Sequence, residues 1–229
     1  MTHLFLNKKT IPVQYYGLEN NLYPKFMEKE IKQTKIESFG CPAISSMNKR
    51  IFDIFPMVSM EIEFWNDGEK AFYEYQIDKK NFGTDKALHD LINDQVVIDY
   101  TDKAMLQIKD KWTFVTDHKD LYITLIPNEN LKTENTEFIF GSFYPYGWIR
   151  GLNLALKQKD KNKKSKVILD ENEAMFRVLF SKAVDLKRVD PTEEMLNYEK
   201  YQYDITLYLR NISSRFNGIL AKRPKRLLR

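Results

Sequence analysis

From Ile51 onward apolar and polar side chains alternate with a period of two. Met60, Ile62 and Phe64 fall on one face and Glu61 and Glu63 on the other, the pattern of a strand with one face in water. Asp67-Gly68 follows, a strong hairpin signal because Gly accepts positive φ, and residues 71–77 (AFYEYQI) read as the return strand. Short apolar runs then recur at 104–109, 112–115, 121–126, 137–141, 148–156, 166–169 and 174–180. Regularly spaced short strands with intervening turns predict a sandwich or barrel rather than βαβ units.

Two stretches change period. Residues 84–93 (TDKALHDLIN) carry an apolar stripe of Ala87, Leu88, Leu91 and Ile92 behind the N-cap candidate Thr84, which predicts a short helix. At Asp190-Pro191-Thr192-Glu193-Glu194 a cap, a proline at the first helical position and first-turn acids signal a helix start. Met195, Tyr198, Tyr201, Ile205, Tyr208, Ile212, Phe216 and Ile219 follow at spacings of three and four, one face of a long helix. The first forty residues read as an irregular arm. It holds an edge strand over 11–16 (IPVQYY), since Pro12 suits an edge or a strand start, and a short helix over 26–35. The expected fold is β-rich α+β: an antiparallel, jelly-roll-like β-sandwich with a short internal helix and a long C-terminal helix. Its parts are an arm (1–50), the sandwich (51–182) and an amphipathic helix with a basic tail (190–229).

Composition narrows the chemistry. The 229 residues are 43% hydrophobic with only 8 Gly, and neither G-x-G-x-x-G nor a P-loop motif occurs, so Rossmann and P-loop readings fail. No apolar run is long enough to span a membrane, and the first residues lack the apolar core of a signal peptide. A single cysteine, Cys41, leaves no internal disulfide and fits a reducing, intracellular setting. The net charge of +4 conceals an uneven spread. Residues 157–166 (KQKDKNKKSK) sum to +5, and residues 221–229 sum to +5 through Lys222, Arg223, Lys225, Arg226 and Arg229, so the remainder is near −6. The tail is the candidate partner-binding element, for an acidic protein surface or for nucleic acid by counterion release.

Catalytic templates find little material. Histidine occurs only at positions 3, 89 and 118. His118-Lys119-Asp120 matches His-x-Asp, but no histidine follows to complete an iron facial triad, so a turn is the expected role. His89-Asp90 lacks the companion ligands of a phosphohydrolase, and one Cys with three scattered His lacks zinc spacing. Cys41 beside Pro42 suggests packing rather than nucleophilic reactivity, and Ser142 lacks the nucleophile elbow. Glu61/Glu63 and Glu171/Glu173 are pairs at i, i+2 that would share a strand face, the ordinary look of a wet sheet. No catalytic residue, metal or cofactor is assigned. The unusual segment is Phe143-Tyr144-Pro145-Tyr146-Gly147-Trp148, where Tyr144, Tyr146, Trp148 and Arg150 offer a stacking platform for a sugar or base.

Cys41-Pro42-Ala43, the alternating strand to Trp65, Met105-Leu106-Gln107-Ile108 with Trp112 and Phe114, Gly141, Trp148-Ile149-Arg150 and the closing AMFRVLF together resemble uncharacterised proteins encoded by tailed phages, especially of marine bacteria. The resemblance covers residues 11–182. It implies a viral context, in the virion or the host cytoplasm, and a β-sandwich-like core; it transfers no reaction. The leading expectation is a non-enzymatic virion component or assembly module whose partners are other virion or host proteins or further copies of itself, with no membrane. Two alternatives stand beside it. One is a β-sandwich enzyme or small-ligand binder, dependent on a metal or sugar, with His118 and Asp120 as metal candidates. The other is a host-takeover factor binding nucleic acid or a host protein.

Overall fold

The computed structural model describes residues 10–17, 31–35, 46–47, 49–77, 92, 96–100, 102–146, 149 and 151–210. Their strands are β1 (Ile11–Gly17), β2 (Lys32–Gln33), β3 (Ile51–Ile54), β4 (Met60–Asn66), β5 (Ala71–Ile77), β6 (Val96–Tyr100), β7 (Ala104–Val115), β8 (Ile123–Pro127), β9 (Lys132–Glu134), β10 (Thr136–Phe138), β11 (Ser142–Phe143), β12 (Gly151–Gln158), β13 (Ser165–Leu169), β14 (Phe176–Phe180) and β15 (Val184–Arg188). One helix follows, α1 (Glu193–Arg210).

The strands form three sheets. Sheet A runs β10-β12-β7-β1-β15, with β6 also on β7; sheet B runs β11-β8-β14-β3-β2; sheet C runs β5-β4-β13-β9. The alternation is borne out where it was clearest. Met60, Ile62 and Phe64 of β4 are buried, as are Val167 and Leu169 opposite them in β13. One apolar cluster takes residues from all three sheets, among them Ile62 and Phe64 from C, Leu106 and Leu154 from A, and Ile54, Phe176 and Phe180 from B. Phe180 meets Phe52 and Phe114 edge-on, both at 5.7 Å, and so ties sheet B to sheet A.

The structure corrects the sequence reading in several places. The Ile11 strand is interior, parallel to β15 on one side and antiparallel to β7 on the other, so not every pairing is antiparallel. Pro12 is tolerated because the ladder to β7 begins only at Gln14, while the Ile11 amide donates to Ala183 O on the β15 side. The segment 1–50 is therefore not wholly irregular, and sheet A draws on both sides of the 51–182 division. Lys32–Gln33, expected in a helix, pairs with β3, and the Thr34 hydroxyl donates to Asp53 at 2.8 Å; here tertiary pairing overrides helix propensity. Residues 104–115 form one strand rather than two, with an irregular register between Gly151 and Asn153 on β12. The sequence reading missed β6 and β15. Most of the 84–93 helix lies outside the described residues, although Ile92 is helical and buried.

The described helix has 18 residues, and the longer helix expected to reach Ile219 is not supported. Ile212, Phe216 and Ile219 of the expected apolar face lie outside the described residues. The Thr192 hydroxyl accepts from the Met195 amide at 3.2 Å and caps the helix. Met195 and Tyr198 bury against Tyr16, Val115 and Ile149, a second apolar cluster on the far face of sheet A.

Candidate interaction surface

The chain between Thr136 and Tyr146 crosses from one sheet to another. β10 is the edge strand of sheet A, with Thr136 opposite Gln158 and Phe138 opposite Leu156. The Ile139 amide still donates to Ala155 O at 2.8 Å. Two residues later Gly141 O accepts from the Leu125 amide at 2.9 Å, and β11 continues as the edge of sheet B. There the Ser142 and Thr124 hydroxyls meet at 2.8 Å.

The crossing divides the apolar side chains of this segment. Phe138 and Phe143 pack on the main core. Ile139 stays 37% exposed, Phe140 65% and Tyr144 46%. Tyr122, just before β8, is 40% exposed and lies against Tyr144 with ring centroids 4.1 Å apart. Four of the seven large, exposed apolar residues among those described thus fall in or against this one segment. Such concentration is uncommon on a surface that meets only water.

Polar groups border the rings. The Tyr144 hydroxyl donates to that of Tyr122 at 2.5 Å. This bond, then lost hydration and nearby charge on Tyr122 and Asp120, raises the Tyr144 pKa above the ordinary phenol value. Lys119 Nζ sits 5.7 Å from the centroid of the Tyr146 ring. Pro145 and Ile149 are buried, Ile149 in the cluster beneath α1, which anchors the loop at both points.

Of the platform named from sequence, Tyr144 and Tyr146 stand at this surface, while Trp148 and Arg150 lie outside the described residues. Lys222, Arg223, Lys225, Arg226 and Arg229 also lie outside them, as do Cys41, His3 and His89. His118 and Asp120 are exposed in the turn between β7 and β8, where the His118 amide donates to Thr116 Oγ1 at 3.2 Å. Among the described residues no group of three His, Cys, Asp or Glu side chains is placed to hold a metal.

Two other charged features resolve into local pairs. Glu61 meets Lys166 at 2.5 Å, diagonally across β4 and β13, and Glu63 meets Lys164, just before β13, at 3.3 Å. Glu171 and Glu173 occupy a turn rather than a strand. Four of the six lysines in 157–166 contact carboxylates: Lys157 with Asp102, Lys163 with Asp160, Lys164 with Glu63 and Glu74, and Lys166 with Glu61. The turn after β12 is built around Asn135, at φ 50°, whose side-chain amide donates to Asp160 O and Lys163 O, both at 2.8 Å. It is thus a braced corner with its charge largely offset, a poor phosphate-binding patch.

Sequence reasoning missed Ile139, Phe140, Tyr122 and Lys119. A signal was present: Phe138-Ile139-Phe140 are consecutive, and a strand cannot turn three adjacent apolar side chains to one face. No protein-family model, curated protein or solved structure matches the chain.

Proposed function

We propose that this chain is a non-enzymatic assembly module, a component or assembly factor of a tailed-phage virion that works by binding protein partners. The observation that carries this reading is the run of exposed apolar side chains, Ile139, Phe140, Tyr144 and Tyr122, set on the adjoining edges of two sheets. Exposed aromatics on a rigid sheet scaffold are what a protein interface uses as anchors. The main apolar core, to which all three sheets contribute, supports a jelly-roll-like sandwich as that scaffold. The phage setting comes from the resemblance over residues 11–182.

Quantitative mass spectrometry of purified particles of the encoding phage tests the reading. The chain should be present at a fixed copy number per particle, or on assembly intermediates if it acts before completion. Absence from both overturns it.

A second reading, a small-ligand binder, is favoured by the hydroxyl-paired rings of Tyr122 and Tyr144 with Lys119 over Tyr146. A thermal-shift screen with monosaccharides, oligosaccharides, nucleotides and divalent metals tests it. A ligand shift abolished in Tyr144→Ala supports this reading, and a flat screen removes it.

A further inference from the structure

The register of β8 and β11 brings Tyr122 and Tyr144 together. Ser142 lies opposite Thr124, and Phe143 lies opposite Ile123. One step beyond that ladder Tyr144 falls opposite Tyr122, on the face where the Ser142 and Thr124 hydroxyls already meet at 2.8 Å. The two rings are therefore a cross-strand pair set by the sheet. Both are open to small reagents, Tyr122 at 40% and Tyr144 at 46% exposure.

Their geometry suits one chemistry. The ring centroids are 4.1 Å apart with 46° between the planes, and the hydroxyl oxygens are 2.5 Å apart. The hydroxyls are closer than the centroids, so the rings converge toward their hydroxyl ends. Convergence there brings together the Cε carbons beside the hydroxyls, which are the positions where phenols couple on oxidation. The spacing of ring centres is already close to that of two phenols joined directly, so a bond between them asks for little movement. The chain between the two tyrosines spans 22 positions. It passes through β8 of sheet B, β9 of sheet C, β10 of sheet A and β11 of sheet B.

We propose that Tyr122 and Tyr144 form an oxidative coupling site, where a peroxidase using hydrogen peroxide joins the two rings by a carbon–carbon bond and staples the three sheets. Each phenol gives up one electron and its hydroxyl proton. The two phenoxyl radicals then pair to form the Cε–Cε bond. The hydrogen on each newly bonded carbon passes to the oxygen of its own ring, which restores both phenols. One hydrogen peroxide takes up the two electrons and two protons and leaves as two waters. The bond closes the chain from β8 to β11 into a covalent ring that holds the Ile139 and Phe140 crossing in place. Such closure removes conformations from the unfolded chain, as a disulfide does. The inference goes beyond the assembly reading and does not rest on it.

Treatment of the dilute full chain with a haem peroxidase and hydrogen peroxide tests it. The product should be a single chain lighter by two hydrogens, with dityrosine fluorescence. Trypsin should release residues 120–132, whose one tyrosine is Tyr122, joined to residues 133–150 through Tyr144. Tyr122→Phe and Tyr144→Phe keep the rings and lose the phenols; each should abolish the joined peptide with circular dichroism unchanged, while Tyr146→Phe should retain it. In urea the yield should fall about tenfold or more, because the rings are no longer held together. The linked chain should melt higher than the untreated one by roughly 5 °C. Equal yield in urea, coupling only between molecules, or coupling at Tyr146 or between Tyr73 and Tyr75 in place of this pair overturns the proposal. A linked chain that melts no higher than the untreated one overturns the staple.

Discussion

Tyr16 on β1 donates a hydrogen bond to Glu199 on α1 at 2.8 Å, joining positions 183 residues apart. The other carboxylate oxygen of Glu199 accepts from Thr113 of β7 at 3.1 Å. One side chain on the helix thus holds two adjacent strands of sheet A. Burial first, then the charge and the hydrogen bond of Glu199, push the Tyr16 phenol well above its ordinary pKa. A raised folded-state pKa contributes stability that is complete below the unfolded value of about 10 and is lost as pH rises through the folded value. Tyr16→Phe should cost about 1–3 kcal/mol, since Glu199 keeps its charge and loses a partner. Urea unfolding at neutral pH and above pH 10 checks both points. Wild-type stability should fall at the higher pH, and the variant should lack the part of that fall due to Tyr16.

Phe180 joins sheets A and B through Phe114 and Phe52 and is fully buried. Phe180→Ala should cost about 3–5 kcal/mol, the transfer loss plus a cavity that two sheets cannot easily close. Phe180→Leu should cost less than half of that. Chemical denaturation with tryptophan fluorescence reads both variants, and equal costs would contradict the tie between the sheets.

Arg177, the one charged position in β14, pairs with Asp53 at 3.0 Å and Glu129 at 2.6 Å. The two pairs differ in setting: the Asp53 side chain is 20% exposed and that of Glu129 69%. Glu129→Gln should therefore cost under about 1 kcal/mol and lose its effect in high salt. Arg177→Ala should cost more, because Asp53 keeps a half-buried charge and loses the cation it pairs with. The Glu129 pKa is lowered, chiefly by its own backbone amide and then by Arg177. A lowered pKa contributes stability above the ordinary carboxylate value that is lost as pH falls through the folded one. The acid limb of wild-type stability should be steeper than that of Glu129→Gln.

Asn135 occupies the left-handed region at φ 50° and braces the turn after β12 through its side-chain amide. Its side-chain oxygen Oδ1 also accepts from the Asp160 amide at 2.8 Å. Asn135→Gly keeps the backbone and loses the bonds, and Asn135→Ala loses both. The alanine variant should be the less stable by about 1 kcal/mol, the cost of placing a side chain at positive φ. Thermal unfolding of the pair separates the two effects.

Much of the fold was legible because its information is local. Alternation marked β4, β5, β13 and β14, and Asp67-Gly68 marked the hairpin between the first two; Gly68 indeed sits at φ 97°. What was not legible depends on distant partners. Pro12 argued for an edge, yet β15 covers that strand on the side where Pro12 needs no amide, and nothing near Pro12 in sequence reveals this. β15 reads as a charged run, and its pairing with β1 comes from opposite ends of the chain. At the candidate surface the tyrosines were visible as an odd cluster. The run Phe138-Ile139-Phe140 signalled that some apolar side chain must face out, but which one does is decided by where the chain changes sheets.

The central claim, that Ile139, Phe140 and the Tyr122–Tyr144 pair form a partner-binding face, is tested most directly by particle incorporation of a folded variant. On the phage reading proposed above, wild-type protein and Phe140→Asp are supplied in trans to a phage lacking the gene, and copies per purified particle are counted by mass spectrometry. Circular dichroism and thermal unfolding should match, because Phe140 is 65% exposed and leaves no cavity. The account predicts stoichiometric wild type and loss of most of the variant. Equal incorporation of the two would contradict it.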